Sequence, residues 1–426
     1  MLLRFFRLIG KIFFREIVIE GRENLPASGP LIVASNHPND LLDPILTLFF
    51  SPPFRLRHIA KSTLFPVPFV GFILRRMRAI PVLRHKEAQG PVDYSSFFDE
   101  CVGALAEGDA IVIFPEGGSS ETSFIGPLKT GAARMFFLAR QRGLDVPIIP
   151  VGINYEEGSI FRSSVLLLVA PPVDCSRFET LHASDPTAAI QELTTEIHRV
   201  LGEHVFQAET FQDRALIILL ERVYFESQRG HDWAARYRRL GDFKPRVTEL
   251  RRCCRSEMVR LRRLVARYRR LARLAGTRAG DTPATVMASI QGAAGALFAY
   301  AGWVFNWIPY RLVKWLVGRR RLPRTDIATM TITWSLVVFP LAYIAEGFFI
   351  GSLFGWKAGL AFGVAIVPFS YLALRYFEWR ETLGIRPPYP AALFRGRWSH
   401  RTSRRLQRLR EQIMREVEKF PAIPKK

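Results

Sequence analysis

The first residues in this chain that could perform chemistry are a histidine and the two aspartates that follow it. His37 comes shortly after the apolar run Leu31–Ala34, and Asp40 and Asp43 lie three and six residues further on. An imidazole accepts a proton near neutral pH because its ordinary pKa is about 6.5, and a nearby carboxylate can orient it. This pattern predicts a general base in a loop that follows a buried strand.

A glycine-containing turn follows a second apolar run about seventy residues later. The segment from Ala110 to Phe114 predicts a buried strand, and Glu116, Gly117 and Gly118 come just after it. Glycines allow backbone amides to approach an anion closely. The pattern predicts an anion-binding turn that also carries one carboxylate.

Two further segments complete an ordered set of four. Arg84 ends the string Ala-Ile-Pro-Val-Leu-Arg, and Pro150 lies in the string Val-Pro-Ile-Ile-Pro-Val. Together with the histidine loop and the glycine turn, these segments resemble the four motifs of the glycerol-3-phosphate and lysophosphatidate acyltransferase family. The segment 126–134, which contains Lys129, is similar to the lysine- and glycine-bearing stretch that follows the third motif of this family.

The resemblance implies transfer of a fatty acyl group from a thioester to an alcohol. The donor would be acyl-CoA or an acyl-acyl carrier protein, and the acceptor glycerol-3-phosphate or 1-acylglycerol-3-phosphate. His37 and Asp43 would be catalytic, and Pro150 would line the acyl or donor pocket. The residues expected to bind the acceptor or its phosphate are Arg84, Glu116, Gly117, Gly118 and Lys129. We expect no cofactor and no metal, since the eight histidines lack paired ligand spacing.

The sequence departs from the common family pattern in two places. The usual motif has its aspartate where Leu42 stands here, so either Asp40 or Asp43 could orient His37. We favour Asp43, because His-x-Asn-x-x-x-Asp-Pro resembles the variant in the branch with fungal glycerol-3-phosphate and dihydroxyacetone-phosphate acyltransferases. The Thr-Arg that commonly follows Phe-Pro-Glu-Gly is also missing. Two alternatives stay open: an acyltransferase that remodels another lysophospholipid, and an inactive membrane-binding homologue.

The composition indicates a protein that works at a membrane. Of the 426 residues, 49% are hydrophobic, yet the net charge is +22. Basic and apolar character together predict contact with an anionic lipid surface. We do not expect nucleic-acid binding, because the chain has no zinc-finger or RNA-recognition signature and its long apolar segments need lipid. The low cysteine content, with the adjacent pair Cys253 and Cys254, fits a reduced, cytoplasmic setting.

The N-terminal half predicts an α/β fold, with a mostly buried sheet flanked by helices. Residues 1–17 interleave basic and apolar side chains at helical spacing, which predicts an interfacial amphipathic helix. Residues 18–215 form the predicted acyltransferase domain. Within it, β-branched runs near positions 32, 111, 148 and 165 alternate with helical stretches.

The C-terminal half predicts basic helices followed by a transmembrane helical hairpin. Residues 216–292 form a basic helical region, with eleven arginines between positions 250 and 278. The apolar segment 293–318 is interrupted by polar residues, so we expect an interfacial or re-entrant element. Residues 329–378 predict two transmembrane helices with a turn at Gly351, and residues 379–426 a basic tail. Positive residues flank both spans, which places the catalytic domain and the tail in the cytoplasm.

Overall fold

The computed structural model describes residues 2–51, 53–84, 91–120, 124–225, 233–274, 293–320, 322–382 and 400–419. The chain divides into two compact units. One contains Met1–Phe211 with Pro323–Thr329, and the other contains Gln212–Leu322 with Met330–Lys426. Much of the predicted basic tail, and positions 275–292 of the basic helical region, lie outside the described residues.

The first unit is built on a seven-stranded sheet, in the order β1-β7-β6-β2-β5-β3-β4. The strands are β1 (Glu16–Glu20), β2 (Leu31–Ser35), β3 (Leu56–Lys61), β4 (Ile80–Val82), β5 (Ala110–Ile113), β6 (Ile148–Tyr155) and β7 (Ser164–Val169). Five neighbouring strands, from β6 to β4, run parallel, while β7 is antiparallel to β6. The predicted α/β fold is confirmed, and the sheet also contains β1, β3 and β4, which our four β-branched runs did not include.

Helices cover the sheet. They are α1 (Leu2–Phe13), α2 (Leu42–Thr47), α3 (Pro68–Arg76), α4 (Ser95–Ala106), α5 (Gly131–Gln141), α6 (Ser176–Ser184) and α7 (Pro186–Glu203). Strands β2, β5 and β6 are buried along their whole length, as expected of parallel strands with both faces covered. Side chains of α4, α5 and α7, among them Leu105, Phe136 and Leu193, form one core with β2 and β5.

The amphipathic N-terminal helix is shorter than predicted. It ends at Phe13 rather than at residue 17, because the chain becomes extended and enters β1 at Glu16. Its buried face includes Phe6 and Ile9, and its other face leaves several large apolar side chains exposed. Arg162 donates hydrogen bonds to the carbonyl groups of residues 11, 12 and 14, and so binds the carboxyl end of the helix.

His58 on β3 is a buried titratable residue away from the loops that follow the strands. Its Nε2 lies 2.7 Å from the hydroxyl oxygen of Thr47, and its Nδ1 has no hydrogen-bond partner within the described part of the chain. Burial disfavours the charged imidazolium and lowers the pKa of His58 from 6.5 to about 4. The unfolded chain therefore binds more protons than the folded one between these two pH values.

We expect the free energy of the unfolding that exposes β3 to fall by about 3 kcal/mol as the pH drops from 6.5 to 4. The stabilisation from neutral His58 is complete above pH 6.5 and is lost as the pH falls through the folded pKa. Hydrogen exchange of the β3 peptide, corrected for the intrinsic pH dependence of exchange, measures this change. The His58→Gln variant should lack this slope, and an equal slope in both proteins would show that another group is responsible.

The second unit is helical in the residues that the structure describes. The remaining helices are α8 (Phe211–Tyr224), α9 (Trp233–Cys253), α10 (Arg255–Leu274), α11 (Ala293–Gly318), α12 (Arg324–Phe354), α13 (Trp356–Thr382) and α14 (His400–Glu418). The first residue of α8 and the start of α12, up to Thr329, are counted with the first unit. Within the described part of the chain, two helices are long and apolar enough to cross a membrane, namely Arg324–Phe354 and Trp356–Glu378.

The structure bears on two details of the apolar segments. Segment 293–318 does not turn back as a re-entrant element would, because α11 is continuous and packs on α13 through Gly302 and an Asn306–Ser370 hydrogen bond of 2.7 Å. The interfacial alternative for this segment stays a prediction. The turn between α12 and α13 lies at Gly355, whose φ of 90° favours glycine, and not at Gly351. Gly351 remains helical and lies against Gly359, where the two helices approach closely.

Candidate active site

The candidate site lies where the parallel strands end. Because β2, β4, β5 and β6 run in the same direction, the residues that follow them meet at one edge of the sheet. His37 follows β2, Arg84 follows β4, Glu116 follows β5, and Tyr155 is the last residue of β6. Residues far apart in the sequence are thereby brought into one cluster.

His37 and Asp43 form a buried pair in this cluster. The Nδ1 atom of His37 lies 2.8 Å from Oδ2 of Asp43, and the imidazole is stacked on the ring of Phe114 with the centroids 4.1 Å apart. Within the described residues, Nε2 of His37 has no hydrogen-bond partner. The arrangement leaves one imidazole nitrogen available to accept a proton from a bound hydroxyl group.

Asp43 reaches His37 because the loop after β2 turns back on itself. Asp43 lies in the first turn of α2, and its Oδ2 also accepts a hydrogen bond from the backbone N–H of Asn39 at 2.7 Å. The side-chain oxygen of Asn39 accepts a hydrogen bond of 3.4 Å from the backbone N–H of Leu42, the first residue of α2. The spacing of six residues is therefore compatible with a direct contact between the two side chains.

Asp40, the alternative partner, lies elsewhere in the loop. Its side chain is exposed and is hydrogen-bonded to Ser119 and Asp326, and it interacts with His37 only through its charge. The residue whose side chain touches the imidazole is Asp43.

Sequence reasoning missed Tyr155, which also binds Asp43. The Tyr155 hydroxyl donates to Oδ1 of Asp43 at 2.5 Å, and both side chains are buried. Burial raises the pKa of the Asp43 carboxyl, and the hydrogen bonds from His37, Tyr155 and Asn39 oppose that rise. Burial and the Asp43 charge raise the pKa of Tyr155 well above its usual value, so the phenol stays protonated and acts as a donor. No local pattern in the sequence marks this tyrosine, which lies four residues beyond the predicted run 148–151.

Glu116 binds protein groups on both of its oxygens. Oε1 accepts the backbone N–H of His37 at 2.9 Å, and Oε2 accepts the Ser120 hydroxyl at 3.2 Å and the Gly126 N–H at 3.4 Å. The backbone N–H of Ser120 in turn donates to the carbonyl of His37. The Glu116 carboxylate, which we predicted to bind the acceptor, thus connects the glycine turn to the histidine loop through hydrogen bonds.

The two glycines of the turn have different roles. Gly117 has a φ of 76°, which only glycine adopts without strain, and its N–H donates to the carbonyl of Phe114. The N–H of Gly118 has no hydrogen-bond partner among the described residues. Of the two backbone amides predicted to approach an anion, only that of Gly118 is available.

Two cations adjoin the turn. A β-carbon placed on Gly118 would lie 3.6 Å from a guanidinium nitrogen of Arg84, and one on Gly117 would lie 3.5 Å from the Lys129 side chain. Neither cation has an ion-pair partner in the described part of the chain. Arg84, Lys129 and the amide of Gly118 together could hold an anionic group beside His37.

Pro150 is not part of this cluster. It lies within β6, opposite Ala34 on β2, and it is buried. His37 is three residues beyond Ala34, which corresponds to about 10 Å along the strand direction. The structure therefore places Pro150 in the packing of the sheet and not at its edge.

The fold and the site define an α/β protein that can activate a hydroxyl group beside an anion. Residues 16–154 match the family model described as Acyltransferase. Over this region the chain is similar to 1-acyl-sn-glycerol-3-phosphate and glycerol-3-phosphate acyltransferases.

Individual proteins similar to this chain are named as acyltransferases. The chloroplastic 1-acyl-sn-glycerol-3-phosphate acyltransferase of Arabidopsis thaliana is 30% identical over 175 residues, covering 39% of this chain and 46% of that protein. Glycerol-3-phosphate O-acyltransferase 1 of Saccharomyces cerevisiae is 27% identical over 138 residues, covering 31% of this chain and 18% of that protein. The crystal structure of the 1-acyl-sn-glycerophosphate acyltransferase from Thermotoga maritima is 23% identical, with a TM-score of 0.36, covering 47% of this chain and 77% of that chain. The chain thus spans less than half the length of these two curated relatives.

Proposed function

We propose that this protein is a membrane-bound O-acyltransferase that moves a fatty acyl group from acyl-CoA to a hydroxyl of glycerol-3-phosphate or 1-acylglycerol-3-phosphate. The observation that carries the proposal is the His37–Asp43 pair with Arg84 and Lys129 at the adjoining glycine turn, inside a region that matches the Acyltransferase family model. An acyl carrier protein thioester is an equivalent donor chemically, since its reactive bond is the same.

The geometry supports a direct transfer between donor and acceptor. Nε2 of His37 takes the proton of the acceptor hydroxyl as its oxygen attacks the thioester carbonyl carbon. The tetrahedral intermediate collapses, the carbon–sulfur bond breaks, and the thiolate leaves and takes the proton back from the imidazolium. Asp43 holds the Nδ1–H tautomer and stabilises the imidazolium, as the aspartate does in a catalytic triad. No covalent enzyme intermediate is needed, because the thioester is already reactive.

A phosphate on the acceptor explains the two cations. A planar guanidinium binds phosphate oxygens through two parallel hydrogen bonds, and an ammonium adds a point charge. Arg84 adjoins Gly118, whose amide is available, and Lys129 adjoins the neighbouring Gly117. A phosphate bound there would place the glycerol hydroxyl near His37.

The test is acceptor-dependent thiol release from palmitoyl-CoA by the purified protein in detergent. Acceptors are glycerol-3-phosphate, lysophosphatidate and monoacylglycerol, which has no phosphate. We expect Arg84→Lys to lower kcat/KM for the phosphate acceptors by about 10- to 100-fold, because the two-pronged contact is lost. Arg134→Lys is the matched control, since Arg134 is exposed on α5 and, among the described residues, bonds only Thr130. An equal loss with monoacylglycerol would contradict a phosphate-binding role for Arg84.

The same assay separates the alternatives. Turnover only with a different lysophospholipid would make the protein a remodelling acyltransferase. Lipid binding without thiol release, for any acceptor and for both CoA and carrier-protein donors, would make it an inactive membrane-binding homologue. The contact between Asp43 and His37 favours an active enzyme over the latter.

Membrane insertion is supported by the second unit. Its two apolar helices expose large side chains along their length, including Phe348, Phe354 and Val364. Such surfaces are stable in lipid and not in water. Positive residues beside both helices favour a cytoplasmic position for the catalytic domain and the tail. Retention in the membrane at alkaline pH, which releases peripheral proteins, tests insertion.

A further inference from the structure

Tyr155 lies behind the His37–Asp43 pair, at the end of β6. Its ring is stacked on Phe14 with the centroids 5.7 Å apart and the planes at 22°. The side chain is 4% exposed, and its hydroxyl oxygen lies 2.5 Å from Oδ1 of Asp43. The family match ends at residue 154, and none of the four motifs includes this tyrosine.

The hydroxyl has a distinct place among the donors to Asp43. Oδ2 is shared by the backbone N–H of Asn39 and by Nδ1 of His37. Among the described residues, Tyr155 alone donates to Oδ1. Asp43 is fully buried, so water cannot replace a lost donor without a rearrangement. An unpaired oxygen on a buried carboxylate strongly disfavours the ionised form.

We propose that Tyr155 is a positioning residue for acyl transfer: its hydroxyl keeps the Asp43 carboxylate ionised and holds Oδ2 against Nδ1 of His37. The inference rests on the proposed function only for its kinetic consequences. The effect of the Tyr155 hydroxyl on proton binding by the His37–Asp43 pair follows from the geometry of the hydrogen bonds and does not depend on the activity. A tyrosine that merely fills space against Phe14 would have no such effect.

The expected direction of the pH effect follows from the hydrogen bond. Without the Tyr155 hydroxyl, the negative charge on Asp43 is stabilised by one hydrogen bond fewer. The His37–Asp43 pair then binds an additional proton more strongly. The pair therefore takes up its additional proton at a higher pH, and a smaller fraction of the protein keeps a His37 that can accept a proton. The acid limb of the pH profile of kcat/KM should move to higher pH by about one unit.

Other charged groups face the pair and stay in place in the variants compared below. Glu116 accepts the backbone N–H of His37, and Asp40 interacts electrostatically with both His37 and Arg84. Asp326 is hydrogen-bonded to Asp40. Since none of these residues is changed, a difference between the variants reports the Tyr155 hydroxyl.

The experiment compares wild type, Tyr155→Phe and Phe14→Leu in detergent. Tyr155→Phe keeps the ring and removes the hydroxyl, whereas Phe14→Leu removes the stacking partner and keeps the hydroxyl. The first measurement is the pH profile of kcat/KM with palmitoyl-CoA and the best acceptor. The second is the rate at which diethyl pyrocarbonate modifies His37 as a function of pH, read by peptide mass spectrometry. His198 serves as the internal reference, and this second measurement needs no turnover.

We expect Tyr155→Phe to lower kcat/KM at pH 7 by about 10- to 100-fold, as for loss of a hydrogen bond to a buried charge. Both the acid limb and the His37 modification curve should move to higher pH, and Phe14→Leu should move neither. A shift in the modification curve without turnover in the wild type would support the role of Tyr155 and overturn the proposed function. Unmoved curves in Tyr155→Phe, or an equal shift in Phe14→Leu, would overturn the role of the hydroxyl.

Discussion

Replacing His37 by alanine is expected to lower kcat/KM for acyl transfer by about 10²- to 10⁴-fold. His37 is the base in the proposed mechanism, with Nδ1 bound to Asp43 and Nε2 available to the acceptor hydroxyl. Alanine cannot take the proton, and water in a site shaped for an imidazole is a poor substitute. The measurement is thiol release from palmitoyl-CoA with a saturating acceptor.

The matched control is His198→Ala, which changes a half-buried histidine on α7. It should retain activity within a few fold. Circular dichroism of both variants verifies that the fold is kept. Activity of His37→Ala within tenfold of the wild type would exclude this residue as the base and would point to a different route for the hydroxyl proton.

The Asp43→Asn variant is expected to lose about 10²- to 10⁴-fold in kcat. An asparagine amide turned towards His37 donates a hydrogen bond and so favours the tautomer with the proton on Nε2. That tautomer cannot accept a proton from the acceptor. If the amide turns the other way, its NH₂ group faces the Tyr155 hydroxyl, and the charge that stabilises the imidazolium is still missing. The KM for the acceptor should change little, because Asp43 is buried and does not reach the substrate.

Asp40→Asn is the control that the sequence itself suggests. Both aspartates lie in the same loop, but Asp40 is exposed and touches Ser119 instead of the imidazole. We therefore expect Asp40→Asn to lose less than about tenfold in kcat, as for a charge partly screened by solvent. Rates of the two variants in the same thiol-release assay make the comparison. An equal or larger loss in Asp40→Asn would transfer the orienting role to that residue.

The sequence determined the kind of fold and the identity of most site residues. Continuous apolar runs such as Leu31–Ala34 and Ala110–Ile113 predict buried strands, and the structure confirms both. The residues that follow the strands carry the imidazole, the glycines and the arginine. Because strand ends of a parallel sheet meet at one edge, the order of motifs already indicates that these groups converge. Local sequence pattern and residue chemistry are therefore enough to predict the buried strands and the convergence of the groups that follow them.

The tertiary structure decided which of these groups touch one another. Sequence spacing left Asp40 and Asp43 open, and the turn of the loop into α2 brings Asp43 to His37. Glu116 was expected to bind the acceptor, yet its carboxylate bonds the backbone of His37, 79 residues away. Tyr155 reaches Asp43 across 112 residues and carries no local signal of that role. Side-chain contacts of this kind depend on strand register and on the path of each loop, and both are set by packing between segments that are distant in the chain.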